Sequence, residues 1–181
     1  FRRVLFRSAS CADELKSSEL YRNDLIEFVS YYVAAKAENF YKQALKDDSE
    51  NRVLAAQRNL QQTVDLLMDV DKLLASHPLY RLEEWVELAR NSGTTLQEKD
   101  AYEANAKRLI TSWGGIQEDY AARFWSGLIK DYYIPRIQLY FTKGRNKIRE
   151  WEEQWITSPW SNSTTPFDDP VEAALSLIEK T

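Results

Sequence analysis

From Ala9 to His77 the chain contains neither Gly nor Pro, and its apolar residues return at steps of three and four. Leu25, Phe28, Val29, Tyr32, Val33, Ala37, Phe40, Tyr41 and Ala44 fall on one helical face. They predict a helix that begins near Ser17-Ser18-Glu19 and reaches about Leu45. Lys46-Asp47-Asp48-Ser49 interrupts the pattern with turn and cap chemistry, and Asp48 or Ser49 is placed to cap a second helix. That helix holds Val53, Leu54, Leu60, Val64, Leu67, Val70, Leu73 and Leu74, and it stops before Ser76-His77-Pro78. A connection this short predicts antiparallel neighbours.

The pattern continues in shorter pieces. A helix is predicted over about 81–89, with Leu82, Trp85, Val86 and Leu88 inward or partly so, closed by Asn91-Ser92-Gly93. Thr95-Leu96-Gln97-Glu98 has the spacing of a capping box and opens a helix to about Ser112. Its expected apolar side is Ala101, Tyr102, Ala106, Leu109 and Ile110. Trp113-Gly114-Gly115 is a sharp break, because paired glycines weaken a helix and permit positive φ. Asp119 is expected to start the next helix, through Tyr120, Phe124, Trp125, Leu128 and Ile129 to Tyr132, with a kink or restart at Pro135. Helical pieces follow around Ile137–Phe141 and Ile148–Trp155, then a Ser/Thr/Pro-rich loop at about 157–169. Asp169-Pro170 supplies a cap and a first-turn proline for a last helix carrying Val171, Ala174, Leu175 and Ile178. No alternating strand pattern is convincing, so the expected fold class is all-α, an antiparallel helical bundle.

Composition narrows the chemistry. Five Gly and five Pro in 181 residues argue against a turn-rich β fold. A net charge of −4 leaves no broadly basic surface, so nucleic acid is not an expected partner. No apolar run of about 18 residues occurs, so no membrane span is expected. One Cys and one His leave no Cys/His zinc cluster and no internal disulfide. No metal or cofactor is expected. Phosphate-loop, dinucleotide and nucleophile-elbow motifs are absent.

His77 reads as a solvated or capping residue of an interhelical turn, and Cys11 as a small apolar residue. The adjacent pairs Glu83-Glu84 and Glu152-Glu153 point around a helix rather than at one point, and read as solvated faces. Asn162-Ser163-Thr164 matches a glycosylation acceptor, relevant only in a eukaryotic secretory route. The stretch 113–136 is the most informative. It sets Trp113, Tyr120, Trp125, Tyr132 and Tyr133 around a glycine break. Such a mixture suits carbohydrate, whose C–H faces stack on aromatic rings. Core packing is the preferred reading for Trp125, Tyr132 and Phe141. Trp113 and Tyr120 flank the loop and are candidates for function.

The motif W-G-G-I-Q-E-D-Y-A-A-R-x-W-S-G-L-I-x-D-Y-Y-x-P-R over 113–136 resembles the C-terminal helical domain of glycoside hydrolase family 89, the α-N-acetylglucosaminidases. Segments 18–25, 66–76 and 85–90 resemble it in the same order, so the resemblance covers nearly all of the chain. It implies a parent with a small N-terminal domain, a (β/α)₈-type barrel and this helical domain. That parent removes terminal α-linked N-acetylglucosamine with retention, using two Glu side chains. The resemblance places both in the barrel, so no catalytic residue is assigned here. The expected partners are that barrel, in the same polypeptide, and an N-acetylglucosamine-terminated glycan. Family pocket contacts carry over to Trp113 and Tyr120, with Ile116 between them. The loop departs from the animal pattern in being shorter and in having Gly115 where a proline is common. Bacterial members imply a periplasmic or cell-surface location, and animal members a lysosomal one.

Residues 1–8 are basic and apolar without a period, and look like a translated sequencing adapter. They are expected to be a non-native junction, with the domain at 9–181. Two other readings stand beside the fragment of a glycosidase. One is a stand-alone helical protein-interaction or scaffolding domain. The other is an independent carbohydrate-binding module.

Overall fold

The computed structural model describes residues 2–113 and 120–180. In chain order its helices are α1 (Arg2–Ser10), α2 (Ala12–Leu15), α3 (Glu19–Ser49), α4 (Val53–Leu74), α5 (Leu82–Asn91), α6 (Leu96–Leu109), α7 (Ile134–Lys143), α8 (Ile148–Thr157) and α9 (Pro170–Lys180). A π-helical turn at Ile129–Tyr133 leads into α7, and a 3₁₀ turn at Arg145–Lys147 into α8. The fold is all-α. They form two compact units, one running up to Leu79 and resuming at Thr165, the other Tyr80–Thr164.

The first unit is built on the α3–α4 hairpin. Ser18 caps α3 by accepting the Tyr21 N–H. Leu25, Val29, Val33, Ala37 and Ala44 form the buried stripe, and α9 packs on α3 through its own apolar face. At the start of α9, Asp169 accepts the N–H groups of Val171 (2.9 Å) and Glu172 (3.0 Å), as the Asp-Pro signal predicts. In α1, which includes the residues expected to be a junction, Leu5 is buried and the Ser8 carbonyl accepts the Tyr21 phenol at 2.8 Å.

The hairpin tip differs from expectation. The helix does not stop near Leu45 but continues to Ser49. Asp47 turns inward, where its carboxylate accepts from Gln43 (2.9 Å), Arg52 Nε (3.0 Å) and Asn59 (2.8 Å). Those bonds satisfy a buried carboxylate and hold it well below the usual carboxylate range, the Arg52 contact first. The reversal falls to Asn51, at φ 57°. Asp48 and Ser49 therefore do not cap α4; the Ser49 hydroxyl donates back to the Lys46 carbonyl. Val53 and Leu54, expected inward, are exposed. His77 is buried rather than solvated. Its Nδ1 accepts the Leu79 N–H at 3.1 Å, the capping role expected, and burial lowers its pKa.

In the second unit the capping box forms as predicted. Thr95 Oγ1 accepts the Glu98 N–H, and the Glu98 carboxylate accepts from the Thr94 and Thr95 backbone and the Thr94 hydroxyl. These bonds, the Thr94 hydroxyl first, bring the Glu98 pKa down to about 2. The inward face of α6 is rotated from the expected one. Ala101 and Tyr102 are exposed, while Glu103, Ala106, Lys107 and Ile110 are buried. Leu88 on α5 is likewise exposed. The core holds Leu82, Val86, Ile110, Leu128 and Tyr132, with Trp85, Trp125, Trp151, Trp155 and Trp160 packed around them.

Lys107 is 0% and Glu103 2% exposed. The Lys107 ammonium donates to Glu103 Oε1 (3.1 Å), the Trp155 carbonyl (2.9 Å) and the Ser158 carbonyl. It also lies 4.9 Å from the Trp155 ring centre. Glu103 Oε1 accepts the Trp160 N–H at 2.6 Å, and Oε2 accepts Arg90 at the same distance. Burial lowers the Lys107 pKa, and Glu103 opposes that shift. One charged pair thus ties α6 to the chain leaving α8.

Lys107→Met strands a buried carboxylate with fewer partners, and should cost about 3–5 kcal/mol in denaturant unfolding. Lys147→Ala, which breaks an exposed pair with Glu150, should cost less than about 1 kcal/mol. The folded Glu98 pKa lies below the unfolded value of 4.5, so its contribution is full above that pH and disappears as pH falls through about 2. The stability gap between wild type and Glu98→Ala, followed by circular dichroism, should close over that interval.

Candidate functional site: an aromatic rim after α6

Helix α6 unwinds after Leu109, and its last carbonyls are taken up locally. Thr111 Oγ1 donates to the Lys107 carbonyl at 2.7 Å, and the Trp113 N–H to the Arg108 carbonyl at 2.8 Å. Trp113 stands at φ 54°, a left-handed conformation rare for a bulky residue. Such a conformation costs on the order of 1–3 kcal/mol and collects at functional sites. The residue is 37% exposed, and its ring meets Tyr120 edge-on with ring centres 5.6 Å apart and planes at 62°. Tyr120 is 74% exposed. The structure therefore brings Trp113 and Tyr120 together at the surface. Ile116, the third expected contact, lies outside the described residues, as do Gly114 and Gly115.

The helix expected from Asp119 does not form over 120–125. Backbone bonds outside any helix claim this segment. The Arg123 N–H donates to the Ile110 carbonyl (3.3 Å), the Ser126 N–H to the Tyr80 carbonyl (2.8 Å), and the Leu82 N–H to the Ser126 carbonyl (3.0 Å). Gly127, at φ 83°, then turns the chain beneath Trp160, where a Cβ would meet the indole at 2.9 Å. Helix resumes at Leu128. The site chemistry is that of exposed aromatic rings, able to stack on apolar faces and to hydrogen-bond through a phenol. Among the described residues no group of three or more His, Cys, Asp or Glu could hold a metal ion.

Residues 3–180 match the family described as Alpha-N-acetylglucosaminidase (NAGLU) C-terminal domain. The chain belongs to this family. Human α-N-acetylglucosaminidase is 30% identical over 132 residues, 71% of this chain and 18% of the human protein. A family 89 glycoside hydrolase from Clostridium perfringens, in complex with PUGNAc, matches 99% of this chain and 23% of its own, with a TM-score of 0.84 and 21% identity. A substituted form of that enzyme, in complex with its substrate GlcNAc-α-1,4-galactose, matches with a TM-score of 0.81. The chain thus spans about a fifth of the length of these relatives. The structural likeness speaks to the fold.

Within this C-terminal domain the other candidates sort themselves by burial. Tyr132 is fully buried, and Trp125 is partly buried with its ring edge-on to Trp85 at 6.0 Å. Phe141 is partly buried. Glu152 is a correction: it is buried, and accepts the Tyr132 phenol (2.8 Å) and Arg136 Nε (2.7 Å). Glu153 is exposed and pairs with Arg108, while Glu83 and Glu84 both pair with Arg81. Cys11 is exposed rather than packed as a small apolar residue. Among the described residues no helix is long and apolar enough to cross a membrane.

Two residues beyond the expected pocket contacts Trp113, Ile116 and Tyr120 bond to the rim segment. Tyr133 donates its phenol to the Arg123 carbonyl at 2.9 Å, and Arg123 donates to the Ala121 carbonyl at 3.2 Å. The adjacent Tyr-Tyr pair was the available signal, since neighbouring helical positions cannot share one environment.

Burial separates rim from core in a measurable way. Tyr120→Ala should change unfolding stability by only about 0.5 kcal/mol, as for other exposed sites. Tyr132→Phe removes a bond to a buried carboxylate and should cost about 1.5–3 kcal/mol. Paired denaturant titrations of the two variants check the contrast.

Proposed function

We propose that this chain is the helical C-terminal part of an exo-acting, retaining α-N-acetylglucosaminidase, and that its aromatic rim forms part of the substrate-pocket wall. The observation that carries the reading is the Trp113–Tyr120 ring pair, exposed at the glycine break of the family motif. Terminal N-acetylglucosamine has an apolar C–H face and hydroxyls, which an indole and a phenol can meet together. Trp113, Tyr120 and, between them, Ile116 are the proposed contacts. The two catalytic Glu side chains belong to the barrel of the parent, on which this domain packs. Here the domain closes a pocket rather than breaking a bond. In a bacterial parent the same reading places the enzyme in the periplasm or at the cell surface.

Family membership and the share of relatives' length that the chain spans support this reading over a stand-alone interaction domain. The 181-residue chain alone should show no turnover of aryl α-N-acetylglucosaminides. Measurable activity of the pure protein would return the catalytic carboxylates to this chain. In the parent enzyme Trp113→Ala should lower kcat/KM about tenfold, the loss of one stacked aromatic face. Trp151→Ala should act through stability instead. Equal kinetic losses at matched folded fraction would remove Trp113 from the pocket.

A further inference from the structure

One bond that holds the rim segment comes from a side chain set in an unusual turn. Residues 120–125 run outside any helix from the exposed Tyr120 to the core edge at Trp125. Midway along it, the backbone of Arg123 is held from both sides. Its N–H reaches the Ile110 carbonyl at 3.3 Å, a long bond. Its carbonyl receives the Tyr133 phenol at 2.9 Å, the shorter of the two.

Tyr133 closes the π-helical turn Ile129–Tyr133, in which the Ile134 N–H bonds to the Ile129 carbonyl five residues back. The wider turn precedes Pro135, which has no N–H to give the helix. A π-turn holds an additional residue, changes the direction of the side chains it carries, and recurs at functional sites. Two neighbouring tyrosines stand at its end. Tyr132 is buried and donates to Glu152, while Tyr133 donates toward the rim, and the two rings meet edge-on at 5.2 Å.

We propose that Tyr133 is a positioning residue for the aromatic rim: through the Arg123 carbonyl it holds the segment that presents Tyr120 against Trp113. The consequence for sugar binding rests on the pocket-wall reading above; the mechanical part does not. The phenol of Tyr133 acts on this segment through its backbone, at the Arg123 carbonyl. The same bond explains why a phenol, and not only an aromatic ring, is useful at this position. A phenylalanine would preserve the edge contact with Tyr132 and lose the tether.

The test is Tyr133→Phe in this chain, read by amide hydrogen exchange and thermal unfolding. Exchange over 120–125 should accelerate about three- to tenfold, the range set by one net hydrogen bond. The amides of Ser126 and Leu82, which report the core edge, should keep their protection, and the thermal midpoint should move by less than about 4 °C. Unchanged exchange over 120–125 would overturn the proposal. So would equal acceleration at Ser126 and Leu82 with a fallen midpoint, the behaviour of a merely structural side chain. A kinetic arm uses the parent enzyme. Tyr133→Phe should raise KM for an aryl α-N-acetylglucosaminide about three- to tenfold with kcat nearly unchanged, and add nothing in a Trp113→Ala background. Faster local exchange with unaltered kinetics would leave the tether standing and count against the pocket-wall reading instead.

Discussion

Removing Lys107 and Glu103 from water carries a desolvation cost of several kcal/mol per ion, and the Tyr80–Thr164 unit is organised around meeting it. The ammonium has three oxygen acceptors, and the two carboxylate oxygens are shared among Lys107, the Trp160 N–H and Arg90. Two of the acceptors are main-chain carbonyls at the end of α8 and just past it. The pair therefore does more than neutralise itself: it fixes where the chain after α8 runs. Trp160 is placed by that course, its indole N–H on Asp131 and its ring over Gly127. An apolar pair of similar volume could fill the space, but could not bind those carbonyls and that N–H.

The rim inherits its position from the same helix. Lys107 and Arg108 supply the carbonyls that receive Thr111 and Trp113, so the residues that end α6 also set Trp113 into its left-handed conformation. A strained indole beside an exposed phenol adds little to folding. The cost of that backbone conformation is met by the packed unit beneath it. The π-turn fits the same division of labour. Tyr132 donates to Glu152 in the core, and Tyr133, packed on the core edge, donates to the Arg123 carbonyl.

Much of this was legible from residue order. The Ser18, Thr95 and Asp169 caps are local chemistry, where a side-chain oxygen meets an N–H two or three residues on, and such signals survive without tertiary information. Trp113 and Tyr120 could be singled out because they flank two glycines. Expectations failed where distant partners decide. Asp47 read as a turn residue, but Asn59 and Arg52 make it a buried acceptor, so the helix runs on. Glu152 has the local pattern of a solvated residue, but the fold sets Tyr132 and Arg136 on its carboxylate. The apolar side of α6 was misplaced because its buried face carries a glutamate and a lysine, which periodicity counts as outward. Helix was expected over 120–125 because its composition allows it. Backbone pairing of Arg123 with Ile110, and of the next residue after the stretch, Ser126, with Tyr80 and Leu82, won instead.

The sequence by itself determined the helical class, most helix boundaries and the pair of aromatics worth attention, because capping, glycine and periodicity act within a few residues of chain. Only the tertiary structure decided which charged groups are buried, which tyrosine faces the rim and how Trp113 and Tyr120 meet. The physical reason is that burying a charge, or holding a segment outside any helix, depends on hydrogen-bond partners distant in the chain, as Trp160 is from Glu103 and Tyr133 from Arg123, and no local pattern records where those partners fold to.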